Sequence, residues 1–265
     1  QELAELEKQK EKAKESEQLS YTLSEDRETV QLRITNGDPQ SEMYYLWTYD
    51  EHWEINTPFV TDWEYNPHIN RIEHVKQKTN RGWCSLANHP ILIGNNLDYG
   101  NGALKDYGIY NLSRLNNRFN TRYHTRVRQM AISKEEYEYY RQKEAQSAQT
   151  GGIFTLMPAQ LPSNIHNDRG LKAEGYVGVH LNVSEAEIYI NGRDVGYQRM
   201  RKAVILPDSM VSIGNWHGAL YFQGYRVYQY NEYLDKAEWT EPWCVDCQVP
   251  YWGATLERPD FWVDD

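Results

Sequence analysis

A row of basic side chains is the first feature of the sequence that could take part in chemistry. It consists of Arg122, His124, Arg126 and Arg128. The row alternates with uncharged residues, and a period of two is typical of a half-buried β-strand, so the four side chains are predicted to share one face. If exposed, that face would attract an acidic partner or an anionic lipopolysaccharide over the short range that salt permits. Alternatively, acidic residues of neighbouring strands pair with it. The row is therefore a candidate partner-binding site with a structural alternative.

Asp50, Glu51, His52 and Glu54 form a second group, which could be drawn as an acid–base pair or a metal site. They belong to an alternating stretch from Met43 to Ile55 that predicts a long strand. Alternation turns Glu51 away from its three neighbours. Glycoside hydrolysis needs two carboxyl groups that face one bond at a defined separation, which neighbours in one strand do not provide. We predict no catalytic residue here.

Neither the cysteines nor the loop from Asn95 to Gly108 predicts a metal site. Structural zinc takes four ligands, usually from two cysteine pairs, whereas the cysteines of this chain are Cys84, Cys244 and Cys247. The loop lacks the regular oxygen ladder, closed by a bidentate acid, that calcium takes. We favour a structural disulfide near the C-terminus, which would imply an oxidising compartment. Spacing does not decide between Cys244–Cys247, our candidate bridge, and a bridge from Cys84 to either of them. Each pairing leaves one cysteine over.

The segment after the basic row has the clearest local signals. Ser133 is a candidate helix N-cap, and Glu136 three residues later completes a capping box. The spacing of Tyr137 and Tyr140 predicts a tyrosine-bearing face that docks on the sheet and belongs to the core. The double glycine that follows is expected to end a helix spanning about residues 133–149.

Further strands are predicted along much of the chain, some from period-two alternation and one from a short apolar run. Besides the two stretches above, these are Thr29–Ile34, Pro90–Gly94, Gly175–Leu181, Glu187–Ile190 and Tyr221–Tyr230, with a hairpin signal at Asn191–Gly192. The composition agrees, because 21 Tyr and 9 Trp against 5 Phe favour sheets and interfaces. We predict a mainly β (α+β) fold of antiparallel sheets with one well-capped helix.

The first residues differ in composition from the rest. Gln1–Gln18 is rich in Glu and Lys, at spacings that support a solvated helix but with an apolar stripe too thin for an independent coiled coil. We predict a charged helical arm or linker over residues 1–20, followed by a single β-rich domain over residues 21–265. A partner that orders the arm is the alternative interpretation.

Charge and hydropathy argue against two classes of protein. A net charge of -10 disfavours nucleic acid as the main partner, because phosphate would be repelled over most of the surface. The mean hydropathy of -0.83 excludes a bundle of membrane-spanning helices. We predict no cofactor. The sequence shows neither a signal peptide nor an N-terminal cysteine for lipidation, so we expect a mature or partial chain.

Four stretches together resemble one family. They are Tyr44–Phe59 (YYLWTYDEHWEINTPF), Arg126–Gln142 (RVRQMAISKEEYEYYRQ), Thr150–Val179 with TGGIFTLMPAQLPSNIHN and EGYVGV, and Cys244–Trp262 with CVDC and ERPDFW. In this order and spacing they resemble the Bacteroidetes surface-lipoprotein family known as domain of unknown function 4249, from about Val30 to Trp262. Members usually begin with a lipidated cysteine and a β-sandwich. This chain has the charged stretch there instead, so we expect it to correspond to the C-terminal portion of such a protein.

The resemblance implies a protein at the extracellular face of the outer membrane. Such proteins are commonly encoded beside TonB-dependent transporters that import glycans or peptides. The implied function is a non-enzymatic accessory subunit that partners such an outer-membrane β-barrel in nutrient capture, with a glycan or peptide as candidate ligand. The alternative is a structural subunit of another outer-membrane complex, such as the machinery for barrel insertion or protein export. A hydrolase of polysaccharide or peptide is the third hypothesis, because a family by itself does not fix function.

Overall fold

The computed structural model describes residues 18–36, 41–87, 90–149, 161, 163–165, 175–178, 180, 182–206 and 216–264. Most of the predicted arm and the double glycine at 151–152 lie outside these residues. The first strand begins at Gln18, so the last residues of the predicted arm belong to a sheet.

The described chain is mainly β, with several antiparallel sheets, which confirms the predicted fold class. In chain order the strands are β1 (Gln18–Leu23), β2 (Thr29–Thr35), β3 (Tyr44–Asn56), β4 (Trp63–Asn66), β5 (Arg71–His74), β6 (Arg81–Leu86), β7 (Leu92–Asn95), β8 (Tyr107–Ser113), β9 (Arg122–Ile132), β10 (Asn182–Asn191), β11 (Ile205–Leu206), β12 (Arg226–Asn231) and β13 (Lys236–Thr240). The α-helices are α1 (Lys134–Gln149) and α2 (Trp216–Phe222). Short 3₁₀ helices lie at Leu97–Tyr99, Asn117–Phe119 and Pro242–Cys244.

Two sheets pack face to face. The first sheet has the order β1-β2-β8, and the central sheet has the order β10-β9-β3-β6, with β7 also paired to β3. The long strands β3 and β9 form the middle of the central sheet and pair from Tyr44–Ile132 to Glu54–Arg122. Because side chains alternate between faces, every second residue of these two strands faces the first sheet.

The main core lies between these sheets. Leu32 and Ile34 of β2 are fully buried against aromatic and aliphatic residues of the central sheet, including Tyr123, Trp47 and Val127. Burial of each large apolar side chain contributes about 1.5–3 kcal/mol relative to its exposure. The predicted alternation in β2, β3 and β9 therefore corresponds to one shared hydrophobic layer.

Helix α1 begins after Ser133, as predicted, but only the Ser133 half of the predicted capping box is seen, because the Glu136 carboxylate pairs with His180 instead. The Ser133 hydroxyl accepts a hydrogen bond from the Glu136 backbone N–H at 3.2 Å. Hydrogen bonds from the Glu135 backbone N–H and from Ser133 lower the pKa of the Glu135 carboxyl. The first turn is thus stabilised by a side-chain cap and by negative charge at the helix N-terminus.

The tyrosines of α1 are arranged differently from the prediction. Tyr137 does dock on the central sheet, where its ring centroid lies 5.0 Å from that of Tyr44 and its hydroxyl accepts from Asn95 at 2.9 Å. The buried tyrosine of the three, however, is Tyr139, whereas Tyr137 and Tyr140 are half-buried. The helix crosses only the end of the sheet, so its most buried side faces other segments instead.

A third sheet of order β11-β13-β12 packs with α2 and the β4–β5 hairpin around Trp239 and Tyr65. The strand predicted over Tyr221–Tyr230 is wrong in its first half, because α2 ends at Phe222 and β12 begins at Arg226. Gly224, with φ +97°, makes the turn between them, and its backbone conformation breaks the apparent alternation.

The strand predicted over Gly175–Leu181 is also wrong for its described residues, 175–178 and 180, which adopt no regular secondary structure. The neighbouring strand β10 runs from Asn182 to Asn191 and is longer than predicted. Within the described ranges, no helix combines the length and the apolar character needed to cross a membrane.

Candidate functional site

The basic row lies on the face of the central sheet that points away from the first sheet. Strand register places Arg126 between Asp50 of β3 and Glu187 of β10, and Arg128 beside Glu185 of β10. These five residues are called the charged ladder below. The predicted alternation of β9 is confirmed, and acidic residues stand on both sides of it.

Carboxylates hold both arginines of the charged ladder. One terminal nitrogen of Arg128 lies 2.7 Å from Asp50, and its Nε lies 3.1 Å from Glu185. Arg126 contacts Glu185 at 3.3 Å and Glu187 at 3.1 Å. Burial lowers the pKa of Arg128, but hydrogen bonds and charge interactions with Asp50 and Glu185 outweigh it and raise the pKa. Such half-exposed pairs contribute roughly 0.2–1 kcal/mol each.

The other two residues of the basic row are covered by the C-terminal segment, residues 257–264. Arg122 donates to the Val263 carbonyl at 2.5 Å and lies over the Tyr189 ring, 4.4 Å from its centroid. Tyr189 in turn donates to the Phe261 carbonyl at 3.0 Å. His124 is only 1% exposed. The candidate row therefore divides into a covered half and an open half formed by Arg126 and Arg128.

Phe261 lies over a pair of histidines. The ring centroids of His52 and His124 are 5.9 Å apart, and Phe261 lies 4.7 Å from the first and 5.0 Å from the second. Burial lowers the pKa of both imidazoles; for His124 it outweighs the opposite effect of Glu187, 3.3 Å away. Both Nδ1 atoms are buried without a hydrogen-bond partner among the described residues. The site therefore favours neutral imidazoles.

Acid is expected to destabilise the protein through this pair. Because the folded pKa of each histidine lies below its ordinary 6.5, the unfolded chain binds more protons as the pH falls below that value. The stability that His52 and His124 contribute is complete above about pH 6.5 and is lost on acidification, by at most about 1.4 kcal/mol per pH unit for each histidine. Urea unfolding at several pH values between 7.5 and 5 measures this slope.

The variant His52→Gln/His124→Gln is expected to reduce the slope, because neither side chain can then take up a proton. His68 is exposed in the turn of the β4–β5 hairpin, so His68→Gln is the matched control and should leave the slope unchanged. An equal slope in the double variant and the wild type would contradict this assignment.

Glu51 lies on the opposite face from Asp50, His52 and Glu54, as alternation predicts. It is 1% exposed in the core and accepts a hydrogen bond from the Tyr123 hydroxyl at 2.6 Å. An Arg118 nitrogen lies 3.2 Å from the same carboxylate oxygen. Burial, followed by Tyr110 and Glu51, raises the pKa of Tyr123 well above its usual value. The phenol therefore remains a proton donor to Glu51.

The candidate disulfide Cys244–Cys247 is not formed in the structure. Cys84, Cys244 and Cys247 are all free thiols, and all are buried in one apolar cluster. Burial raises the pKa of Cys84 to about 11 and, with Asp246 and Cys84 nearby, that of Cys247 to about 12. Thiols of this kind react slowly while they remain buried, because the thiolate is the reactive form.

No group of three or more His, Cys, Asp or Glu side chains that could hold a metal ion occurs within the described part of the chain. A shallow groove runs over the outer face of the first sheet and includes Gln31, Arg33 and Asn111. Its Arg33 guanidinium already donates to Thr22, Gln31 and the Asp106 carbonyl. The charged ladder differs from this groove in that its arginines alternate with carboxylates across neighbouring strands.

Pairing of the basic row with acidic residues of neighbouring strands was the structural alternative, and the structure forms such pairs at Arg126 and Arg128. The sequence did not identify which acidic residues take part. Glu185 and Glu187 alternate along β10 just as the arginines do along β9. That second alternation was the available signal, and it becomes informative only when β10 is known to pair with β9. Nothing local to Phe261 indicates that it covers His52 and His124.

The model for a family described as a domain of unknown function, DUF4249, matches residues 3–186, more than half of the chain. Three of the four family-like stretches lie within the match, whereas Cys244–Trp262 lies beyond it. Searches of curated proteins and of solved structures find no match to the chain.

Proposed function

The chain belongs to the DUF4249 family, and from this premise we propose that it is a non-enzymatic subunit of an assembly at the extracellular face of an outer membrane. Its partner is a TonB-dependent β-barrel transporter, which it assists in capturing a glycan or peptide nutrient. The charged ladder is the observation on which the protein-binding role rests. It occupies the open middle of the central sheet, between α1 and the C-terminal segment.

The ladder suits recognition of a protein because its charges are already positioned. Arg126 and Arg128 remain about one-third exposed, at 31% and 36% of their side chains, although two carboxylates hold each of them. The ladder therefore presents a fixed pattern of alternating charge to a partner. Its side chains lose less conformational entropy on binding, because ion pairs already order them. Such patterns set partner choice and docking register more than they set affinity.

The position of the ladder also supports the proposal. It lies on a sheet face whose two ends are covered, at one end by Tyr137 of α1 on Tyr44 and at the other by Phe261. A partner that bridges these two elements would cover the remaining polar strip. The net charge of -10 disfavours nucleic acid as the occupant of that strip.

Inverting the ladder is expected to weaken partner binding while the fold is retained. The variant carries Arg126→Glu, Arg128→Glu, Glu185→Arg and Glu187→Arg, so the pairs between β9 and β10 re-form with opposite polarity. Asp50→Asn is added because a carboxylate would otherwise lie beside Glu at position 128. Binding to the transporter in detergent should weaken at least about tenfold, since opposed like charges replace complementary ones, while the melting temperature changes by only a few degrees.

Site-specific photocrosslinking in native membranes identifies the partner. A photoreactive residue at position 185 lies in the ladder, and one at Asn111, exposed on the first sheet, is the matched control. A crosslink from position 185 alone to a TonB-dependent transporter is the expected result. A crosslink to the barrel-insertion or export machinery would favour the structural-subunit alternative. Equal binding by the inverted variant would exclude the ladder as the interface.

A further inference from the structure

The three buried thiols belong to one apolar cluster but have different neighbours. These neighbours distinguish between the disulfide pairings that the sequence leaves open. Cys244 lies in the 3₁₀ helix at 242–244, where its thiol interacts with the Thr240 side chain and the Val204 backbone. Cys247 lies on the other side of that turn, against β6. The two cysteines of the CVDC stretch therefore face different neighbours.

Cys247 is seated directly on the strand that carries Cys84. Its backbone N–H donates to the Thr79 carbonyl at 2.8 Å. Its sulfur occupies the space beside Gly82, so closely that a Cβ added to that glycine would lie 2.5 Å from it. Gly82 and Cys84 are two residues apart in β6 and share a face of the sheet. Because residues two apart in a strand are separated by roughly 7 Å, the Cys247 sulfur lies roughly 4–9 Å from the Cys84 Cβ. Cys84 is close enough to contribute to the raised pKa of the Cys247 thiol.

The segment after Cys247 packs against Cys84 and the neighbouring residues of β6. The Cys84 thiol is 3.5 Å from the Trp252 carbonyl. Ala254 donates to the Cys247 carbonyl at 3.1 Å, and Thr255 forms a bridge with Trp83 of β6. The chain from 247 to 255 is therefore laid along the edge of the central sheet, with both thiols beneath it.

We propose that Cys84 and Cys247 form a disulfide under oxidising conditions, and that Cys244 remains a free thiol. In the balanced reaction a small-molecule disulfide is the oxidant. The thiolate of one cysteine attacks this disulfide, forms a mixed disulfide and releases the first small-molecule thiol. The second cysteine then attacks the mixed disulfide and releases the second thiol. Two protein S–H groups thereby become one S–S bond, and the oxidant is reduced to two thiols. This inference does not depend on the proposed function.

The bridge would tie the C-terminal part of the chain to β6. That part includes Phe261 and Val263, which cover His124 and Arg122. A cross-link that closes so long a loop restricts the unfolded chain strongly and stabilises the fold. Because both thiols are buried and have raised pKa values, oxidation of the native protein is expected to be slow and to need transient opening of residues 247–255.

Peptide mapping after oxidation of the full chain with oxidised glutathione tests the proposal. The protein is incubated in native buffer and in mild denaturant followed by refolding, and free thiols are then alkylated. The expected product links the tryptic peptides that contain Cys84 and Cys247, and its melting temperature rises by about 10 °C. The Cys244→Ser variant should form the same cross-link and show the same rise, whereas Cys247→Ser should show neither.

Cys84→Ser should also lose the cross-link, and Cys84→Ala provides a second version that places no hydroxyl in the apolar cluster. Circular dichroism confirms that each reduced variant is folded. A cross-link from Cys84 to Cys244, a bridge within the CVDC peptide, no cross-link even after refolding, or a cross-link that leaves the melting temperature unchanged would each overturn the proposal.

Discussion

Gly192→Ala is expected to destabilise the protein by about 3 kcal/mol or more. A Cβ at position 192 would lie 1.9 Å from the carbonyl oxygen of Phe119 and 3.0 Å from its carbonyl carbon. Both are backbone atoms, and Phe119 is itself fully buried in the core, so neither partner can move without disturbing the main hydrophobic layer. The Gly192 N–H also donates to the Thr121 carbonyl at 2.9 Å, which holds the two segments together.

Urea unfolding of the reduced protein measures this effect, and Gly108→Ala is the matched control. Gly108 lies in β8, and a Cβ added there meets nothing within 4 Å. Alanine at this strand position should leave the free energy of unfolding unchanged or raise it by up to about 1 kcal/mol. Similar stabilities for both variants would show that the close approach at Gly192 is not a constraint on the fold.

Glu51→Ala is the second substitution with a large expected effect. It should lower the free energy of unfolding by about 3 kcal/mol. It removes the carboxylate that pairs with Arg118 and accepts from Tyr123 in the core. Removing one partner of a buried ion pair typically costs about 3–5 kcal/mol, since the remaining charge stays desolvated. The lower end is expected here, because the Arg118 side chain is 20% exposed and can regain some contact with water. Glu51→Gln should lose less, since the amide oxygen still accepts from Tyr123.

A surface pair on the same molecule provides the control for Glu51. Arg114 and Glu28 approach to 3.1 Å, and the Glu28 side chain is 53% exposed. Glu28→Ala should therefore cost less than about 1 kcal/mol. The double variant Glu51→Leu/Arg118→Leu should cost less than the sum of its single variants, because no charge then remains buried. Additive losses would indicate that Glu51 and Arg118 are energetically independent.

The Asn191–Gly192 dipeptide shows how a correct local signal led to a wrong expectation. The sequence predicts a hairpin there, and the structure does place the end of β10 and a turn at this point. β10, however, pairs with β9, and the turn that follows packs on the segment around Phe119. The glycine is needed because another backbone approaches it closely, which cannot be recognised from the two residues alone.

The sequence by itself determined those features that depend on neighbours along the chain. Alternation located β2, β3 and β9 and assigned Glu51 to the face opposite His52, and the Ser133 cap located the start of α1. These patterns are local, because side-chain direction repeats every two residues in a strand and a helix cap is completed within one turn.

The tertiary structure alone decided which distant residues meet. It brought Glu185 and Glu187 beside Arg126, placed Phe261 over His124, and placed the Cys247 sulfur against Gly82 of β6. Strand order and the path of the C-terminal segment depend on contacts between residues that are far apart in the sequence. These contacts form only when the buried faces of several elements pack together. No window of the sequence contains both sides of such a contact. The sequence therefore indicated the basic row and acidic neighbours as its alternative partners, but not which residues pair with it or cover it.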